Sequence, residues 1–462
     1  MRYVTALAES LISMTHASDP AQTTWRKLSR SELDKMLHAH LLFRAARTGG
    51  RRANLSYCDL SGLDLSGRDL SDADLTAARF RQARMVGTKL NNAILFAADM
   101  RLVVANGIDL SLADMRGACL RGADLSDGKL LQADLREGQL VRTDTTGNLA
   151  QIRFEPLAAE MTAASMPRAN LSGARLSTAF VVQADLSDAI LKNIKAIRTD
   201  FRSSLLSGAV LSGADLSHAN LAGAVLRGAM LVDAEWSGAS FEGADLAGAV
   251  VDASAYSSKE LSKSNLARLD RSVAERLPQI LASHDEWVQS ASRSGTRADL
   301  SQTYLAERNL RGVNLAAAVL NCAVLTGADL SDARLAMADI AYADMRRAKL
   351  VNADLRGVNF DHAILEEADL SGASMTPVSG TGVAAGDRTW QARLDRAKLA
   401  RAKLRGTIMR GVRLPYADFT DADLSGADLS GAVLHSANFT GAKLEGTNLD
   451  KAEIQNAVGL KR

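Results

Sequence analysis

The chain is poor in aromatic residues: only 4% of its 462 residues are Phe, Trp or Tyr, although 47% are hydrophobic. An ordinary core takes much of its buried area from aromatic rings. Ala, Leu, Met and Val must therefore fill most of the interior, which we expect to be too narrow for many rings. At about 150 residues per domain the length suggests three globular domains, and this composition argues against them.

Cysteine, proline and net charge are also scarce. Three Cys and six Pro argue against a disulfide framework and a disordered Pro-rich chain. The cysteines lie far apart, at Cys58, Cys119 and Cys322, as in a protein of the reducing cytosol. The net charge of +2 speaks against a strongly basic nucleic-acid binder and against a strongly acidic DNA mimic. Nucleic acid is therefore not an expected partner.

Long apolar runs are absent as well, so we expect no transmembrane helix. Near the N-terminus, Val4, Leu7, Leu11 and Met14 are spaced as in an amphipathic helix, and Glu9 interrupts what would be the core of a signal peptide. We therefore expect a cytoplasmic protein.

A period of five residues runs through most of the chain. Large apolar residues recur every five positions from Leu55 to Met100 and, in the same phase, from Leu110 to Leu140, within the motif Ala-Asp/Asn-Leu-Ser-Gly. The period returns in a new phase from 171 to 256, and again at 300–375 and 394–454. It matches neither a helix of about 3.6 residues per turn nor the two-residue alternation of a strand. It favours a chain that turns a corner every five residues.

Four such sides would close a square coil of 20 residues, and stacked coils would pair like parallel strands about 4.8 Å apart. Charges at steps of 20 support this coil length, because Asp69, Lys89, Asp109 and Lys129 alternate in sign and would be neighbours on one face. The same pattern occurs in the series Asp59, Arg79, Asp99; Asp64, Arg84; Asp329, Lys349, Asp369; and Arg334, Asp354. Phe419 and Phe439 are also 20 apart and should stack.

The repeat, with Ala-Asp-Leu-Ser-Asp at 73–77 as one copy, resembles the pentapeptide-repeat family. The resemblance implies an all-β solenoid, a right-handed quadrilateral β-helix of pentapeptide repeats. The handedness is implied by the family alone. Short α-helical caps or inserts are expected where the repeat is missing.

Two segments outside the repeat predict such helices. Residues 29–50 begin with Ser29 and Glu32 in capping-box spacing and end at a pair of glycines. Their predicted apolar face is Leu33, Met36, Leu37 and Leu41. Residues 264–296 are also predicted to be helical, with an interruption at Pro278.

Both helical segments end alike, since His40 and Phe43 match His284 and Trp287, and the first repeats follow at similar distances. This lead-in resembles the segment before the first coil in many bacterial pentapeptide-repeat proteins. We expect each helix to cover the apolar end of a solenoid. His40 and His284 would tie helix to coil by a hydrogen bond.

The predicted organisation is a helical cap at 1–52, a first β-helix at 53–256 interrupted at 146–170, a helical insert or second cap at 257–297, and a second β-helix at 298–456 with a loop at 376–393. The first interruption contains Pro156 and Pro167, and the second is Gly-rich and predicted to be mobile. The repeated cap favours two solenoids over one stack with a helical insert.

No catalytic, cofactor or metal site is predicted. The seven His residues are scattered, and none forms a His-Cys or His-carboxylate cluster with ligand spacing. A phosphate-binding glycine motif is also missing. We therefore expect no enzyme activity and no cofactor.

Two basic segments are candidate interaction surfaces. Residues 393–414 carry eight Lys or Arg against one Asp, but Lys398 and Lys403 would meet Asp418 and Asp423 one coil later. The basic residues of the N-terminal cap have no such predicted partners. They are the better candidates for an acidic partner or a membrane surface, against the alternative of a solvated helix face: Arg26, Lys27, Arg30, Lys35, Arg44 and Arg47.

Three functions are compatible with this pattern. The leading hypothesis is a non-enzymatic scaffold that mediates protein-protein interaction. The family resemblance adds a DNA-mimic regulator or protector of a type II topoisomerase, and a secreted bacterial effector that organises host proteins or membranes is the third. Self-association is compatible with all three, and the sequence names no partner protein.

Overall fold

The computed structural model describes residues 25–138, 141–143, 149–151, 158–252, 254–255, 258–266, 271–379 and 389–460. The amphipathic segment at Val4–Met14 lies outside them. Parallel β-bridges join residues 20 apart on all four sides of the coil, so that Asn54, Asp59, Asp64 and Asp69 pair with Asp74, Arg79, Arg84 and Lys89. The predicted 20-residue coil is confirmed.

Each residue of the motif has a distinct task in one side of the coil. Leu65 points inward and is 1% exposed, and its backbone N–H donates to the carbonyl of Arg84 in the next coil, at 2.8 Å. The carboxylate of Asp64 accepts the backbone N–H of Ser66 at 2.9 Å. Gly67 then turns the corner with φ +67°, a conformation that glycine adopts without a steric penalty.

The coils form two solenoids. We define the first arm as residues 25–266 and the second arm as residues 271–460. Bridges run from Asn54 to Val250 in the first arm and from Asp299 to Val458 in the second. The two cores are separate, since Leu266 belongs to the first core and Leu277 to the second.

The interruption predicted at 146–170 is shorter at its C-terminal end. Glu160 already pairs with Cys119 of the preceding coil, and Met161 and Met166 are fully buried at the central position. The prediction was wrong there because Glu160 and Ser165 stand where the motif has Asp or Asn, although Met161 and Met166 fill the central position. Strands β3 (Val141–Thr143) and β4 (Leu149–Gln151) form an antiparallel pair that begins before the predicted interruption.

The second interruption also starts and ends with strands. β5 (Val378–Ser379) pairs antiparallel with β6 (Thr389–Trp390), and Asn359 pairs with Arg393 where the coil resumes. The centre of the predicted loop, at 380–388, lies outside the described residues.

The N-terminal cap consists of β1 (Arg26–Lys27) and α1 (Arg30–Arg44), and β1 pairs parallel with β2 (Cys58–Asp59). The predicted capping box of Ser29 and Glu32 is confirmed. Leu33 is buried against the first coil, but Leu41 is 57% exposed, so its assignment to the apolar face was wrong. Eight residues after Leu33, the helix has rotated Leu41 away from the coil.

A short 3-10 helix (Glu260–Lys263) and α2 (Arg271–Gln289) lie between the two ladders. The predicted interruption of the second helix was wrong, because α2 continues through Pro278. Pro278 is exposed, so its ring finds room, and it removes only one backbone hydrogen bond. No described helix is long and apolar enough to cross a membrane.

The interior accepts more rings than we expected. Six phenylalanines are fully buried at central positions: Phe80, Phe201, Phe241, Phe360, Phe419 and Phe439. The predicted stack of Phe419 on Phe439 is confirmed, with centroids 4.8 Å apart and planes 8° apart. A ring therefore fits in place of leucine when its neighbours adapt.

The two arms pack side by side and antiparallel. In the first arm the contacts run from Arg168 towards Gly248 as the sequence number rises. In the second arm the contacting residues run from Tyr416 towards Cys322 as the sequence number falls. Met230 and Val250 of the first arm and Ile364 of the second form a small apolar cluster between them. The chain thus folds back on itself like a hairpin made of two solenoids.

Candidate functional site

Each capping helix is fastened to its solenoid by a histidine. Nδ1 of His40 accepts the backbone N–H of Ala53 at 3.1 Å, and Nδ1 of His284 accepts that of Ala298 at 3.0 Å. Both imidazoles are fully buried, and burial lowers the pKa of each. An imidazole that accepts at Nδ1 is the neutral form with its proton on Nε2, so these histidines are structural groups.

The aromatic partners of these histidines lie beside them. Phe43 stacks on His40 with centroids 5.8 Å apart, and Trp287 stacks on His284 at 5.6 Å. Phe43 remains 40% exposed. The four residues therefore hold the caps, and Phe43 also contributes to the outer surface of α1.

The basic residues of the N-terminal cap divide into two groups. Arg26 pairs with Glu32 at 3.2 Å and Arg30 with Asp34 at 4.0 Å, while Arg44 pairs with Asp69 and Asp72. The expectation that these arginines lack acidic partners was therefore wrong. Among the described residues, no ion pair reaches Lys27, Lys35 or Arg47, and all three are exposed. They are the cations that remain available to a ligand.

The outer side of α1 also exposes apolar surface. Leu41 is 57% exposed, and a groove of about 640 Å³ runs past Lys35, His38 and Leu42 to Gly49. In this groove the half-buried side chain of Leu42 thus lies beside the unpaired cation Lys35.

The basic stretch 393–414 is neutralised throughout. Arg393, Arg401 and Lys403 pair with acids of the preceding coil, and Arg405, Arg410 and Arg413 pair with Asp423, Asp428 and Asp395. Arg396 and Lys398 reach across to the first arm. This stretch therefore offers no free cationic patch.

The predicted charge series is correct in backbone register, since Asp69, Lys89 and Asp109 are successive bridge partners. Most direct ion pairs, however, follow other spacings. Arg101 pairs with Asp99 two residues earlier, at 2.5 Å, and Arg405 pairs with Asp423 eighteen residues later, at 2.7 Å. An arginine that directly follows the central residue can reach a carboxylate two residues earlier or eighteen residues later. The carboxylates at the bridge positions already accept backbone N–H groups.

The contact between the arms has Asp188 at its centre. Oδ2 of Asp188 lies 2.9 Å from Nη1 of Arg396, and Oδ1 lies 3.6 Å from Nδ1 of His362. His362 in turn stacks on Tyr342, with centroids 4.6 Å apart. One carboxylate of the first arm therefore contacts two successive coils of the second.

Glycine corners make this approach possible. A Cβ atom at Gly248 would lie 2.2 Å from the carbonyl oxygen of Tyr342, and one at Gly228 would lie 2.9 Å from its ring. Further along, Lys398 Nζ donates to the carbonyl of Gly208 at 2.9 Å. Arg168 of the first arm and Arg396 of the second lie over the ring of Tyr416, at 5.3 and 5.4 Å.

Beside this contact the arms diverge and leave a cleft of about 820 Å³. Lys192 and Val210 line it from the first arm, and Glu366 and Lys398 line it from the second. Burial raises the pKa of Glu366 and lowers the pKa of Lys398 to about 8. Both polar and apolar side chains line the cleft.

Metal chemistry has no candidate in the described parts of the chain, where no group of three or more His, Cys, Asp or Glu residues could hold an ion. Burial raises the pKa of all three thiols, and that of Cys322 to about 11. A thiol with a raised pKa is a poor nucleophile at neutral pH.

The interface between the arms was not predicted, although the sequence contains a signal for it. Gly208, Gly228 and Gly248 occupy the same corner in consecutive coils, and Tyr342 and His362 occupy one corner of the second arm. A row of glycines facing a row of aromatic rings favours close packing of two corners.

Similarity to solved structures was found for several repeat proteins. HetL, a regulator of heterocyst differentiation from the cyanobacterium Nostoc sp. strain PCC 7120, is 22% identical, covering 93% of this chain and 97% of its own, with a TM-score of 0.26. Full-length QnrB1, a plasmid-mediated fluoroquinolone resistance protein, is 20% identical over 45% of this chain and 95% of its own, with a TM-score of 0.17. A protein of the Arabidopsis thaliana thylakoid lumen is 31% identical over 26% of this chain and 66% of its own, with a TM-score of 0.14.

No curated protein matches the chain in sequence. The sequence profile described as pentapeptide repeats matches residues 53–92, 93–130, 158–193, 184–221, 197–229, 219–252, 298–336, 338–376, 392–431 and 417–456. These segments include nearly all of the described coils in both arms and more than half of the chain. The protein therefore belongs to the pentapeptide repeat family.

Proposed function

We propose that the protein is a non-enzymatic scaffold that docks an acidic segment of a partner protein on the outer face of α1. The observation that carries this proposal is the groove along α1, in which half-buried Leu42 lies beside the unpaired cation Lys35. Protein interfaces combine an apolar centre with a polar rim in this way. A partner with carboxylates around an apolar side chain would complement both features.

A membrane surface is a weaker match for the same helix. Leu33, Met36 and Leu37 already pack on the first coil, so the apolar face of α1 is used internally. Membrane helices that lie in the interface bury a broad apolar face, and here only Leu41, Leu42 and Phe43 remain for it. A protein partner is therefore the preferred occupant.

Three finer points belong to this proposal. We infer that both arms are right-handed quadrilateral β-helices, as the family resemblance implies. We also infer a cytoplasmic location, which the free thiols of Cys58, Cys119 and Cys322 support. Protection of a topoisomerase is not proposed, because a net charge of +2 is unlike that of duplex DNA.

The test is a fluorescence anisotropy titration of the full chain against a synthetic acidic amphipathic peptide of about 20 residues. We expect Leu42→Ser and Lys35→Glu each to weaken binding about tenfold or more. Lys451→Glu, an exposed charge change on the last coil, is the control and should leave the affinity unchanged. Equal weakening by the control, or binding only to vesicles of anionic lipid, would contradict the proposal.

A further inference from the structure

One outward position of the first arm is apolar in consecutive coils. We call these four residues the apolar row: Ile190, Val210, Met230 and Val250. In the two preceding coils the same position holds Lys129 and Asn170, as expected for a side chain that faces water. An outward row of apolar side chains marks a surface that is covered or that binds a ligand.

The second arm covers only one end of the apolar row. Val250 is 1% and Met230 is 7% exposed, and both pack with Ile364 of the second arm. Val210 and Ile190 are only half-buried, and they line the cleft of about 820 Å³ between the arms. Small-molecule sites have volumes of roughly 300–1,000 Å³ and mostly apolar walls. The uncovered half of the row therefore gives this cleft the apolar wall of a ligand site.

Two lysines line the same cleft, Lys192 from the first arm and Lys398 from the second. No ion pair with a described residue reaches either of them. Nζ of Lys398 donates to the carbonyl of Gly208 at 2.9 Å, which leaves two of the three ammonium N–H groups for other acceptors. Burial, together with the nearby charge of Lys192, lowers the pKa of Lys398 to about 8. The two ammonium groups therefore repel each other, and an anion beside both would offset this repulsion.

The carboxylates that line the cleft leave these lysines available. Asp188 already binds Arg396 at 2.9 Å, and Asp418 accepts a backbone N–H at 3.0 Å. Asp233 is exposed to water, where ions screen its charge. Glu366 forms no ion pair with a described residue, and burial raises its pKa. A carboxyl group with a raised pKa compensates neighbouring cations less than an ordinary one.

We propose that the cleft binds a small amphipathic anion, an alkyl carboxylate, with its carboxylate on Lys192 and Lys398 and its chain along Val210 and Ile190. The carboxylate accepts charge-assisted hydrogen bonds from both ammonium groups, and the chain removes the uncovered apolar side chains from water. An uncharged chain would leave the lysines without a partner, and a short carboxylate would leave the apolar row uncovered. The ligand therefore needs both parts.

Isothermal titration calorimetry of the full chain with octanoate, well below the concentration at which octanoate forms micelles, tests the proposal. We expect octanoate to bind saturably at a single class of site, and octanol and acetate to bind at least about tenfold more weakly. Lys192→Met removes one cation and Val210→Asn interrupts the apolar wall, so each should weaken octanoate binding about tenfold. Thermal unfolding of each variant shows whether it is folded.

Two matched variants outside the cleft are the controls. Lys195→Met removes a lysine that pairs with Asp215 at 3.5 Å, and Val225→Asn changes a half-buried outward valine on another side of the coil. Neither residue lines the cleft, so the affinity for octanoate should stay unchanged in both. Absence of saturable binding, or equal weakening by these controls, would overturn the proposal. Loss of octanoate binding in Lys35→Glu but not in Lys192→Met would place the ligand on α1 and would overturn it as well.

Discussion

His40 accepts the backbone N–H of Ala53 through Nδ1, at 3.1 Å, and thereby joins the capping helix to the first coil. This bond requires a neutral imidazole, because a protonated imidazole has no acceptor nitrogen. The same relationship recurs between His284 and Ala298 in the second arm. Both caps should therefore respond to acid in the same way.

The first prediction concerns this pH dependence. Burial lowers the pKa of His40 and His284 below the ordinary 6.5, so the unfolded chain binds protons that the folded chain does not. The stabilisation is complete above about pH 6.5 and is lost as the pH falls further. Thermal unfolding of the native chain should therefore occur at a lower temperature at pH 5.5 than at pH 7.5.

The double variant His40→Asn/His284→Asn should lose most of this difference, whereas His218→Asn, at an outward corner, should keep it. Aspartates whose pKa is lowered from 3.8, such as Asp59 and Asp329, act only at lower pH. The raised pKa of Glu366 stabilises the folded chain towards acid, in the opposite direction. If the native chain unfolds at the same temperature at both pH values, the caps do not depend on neutral histidines.

The second prediction tests the register of the repeat. Leu90→Asp places a carboxylate in a fully buried stack and should lower the free energy of unfolding by at least about 4 kcal/mol. Asn92→Asp adds the same charge two residues later at an exposed corner, and should change it by about 0.5 kcal/mol or less. Chemical denaturation measures both, and similar losses would contradict the inward position of Leu90.

The third prediction concerns the glycine corners. Gly248 and Gly431 both have positive φ, +67° and +66°, so alanine strains the backbone equally at each position. Only at Gly248 would the new Cβ collide with the carbonyl of Tyr342, whereas nothing lies within 4 Å at Gly431. Gly248→Ala should therefore separate the arms and enlarge the radius of gyration in small-angle X-ray scattering. An identical scattering profile for the two variants would show that the corners do not touch.

The fourth prediction concerns nucleic acid. Because Arg393, Lys403 and the other cations of 393–414 already have partners, few condensed counterions would be released from DNA on binding. Anisotropy of a labelled duplex should stay constant on addition of the protein at moderate salt. Tight binding that weakens steeply with salt concentration would contradict this.

The repeat made the coil predictable because one side of the coil is a local unit. One side of the coil uses residues that lie within five positions of each other, such as Asp64, Leu65 and Gly67, so its pattern is visible in the sequence. The cap histidines are visible because His40 and His284 lie in similar sequence segments. The resumption at Met161 was missed because Glu160 stands where the motif has Asp or Asn, although Met161 fills the same space as leucine.

The interface could not be derived in the same way. Contact between Asp188 and Arg396 depends on how two solenoids lie relative to each other, and no local rule relates positions so far apart in sequence. The ion pairs of Arg101 and Arg405 were not predicted because the long, flexible side chain of arginine can reach several carboxylates, and the sequence does not say which one it binds. Leu41 lies outside the apolar face because the spacing of apolar residues in a helix does not say how far along the helix the underlying coil reaches.

The antiparallel docking of the two arms is the central claim, and disulfide trapping tests it most directly. In a chain whose native cysteines are replaced by alanine, Gly228→Cys/Tyr342→Cys should form an intramolecular disulfide on mild oxidation, because these corners touch and a disulfide needs Cα atoms within about 7 Å. Gly228→Cys/Tyr416→Cys should not form one, because Tyr416 lies against Arg168, three coils away from Gly228 along the first arm. Trapping of the second pair, or of neither pair, would contradict the antiparallel arrangement.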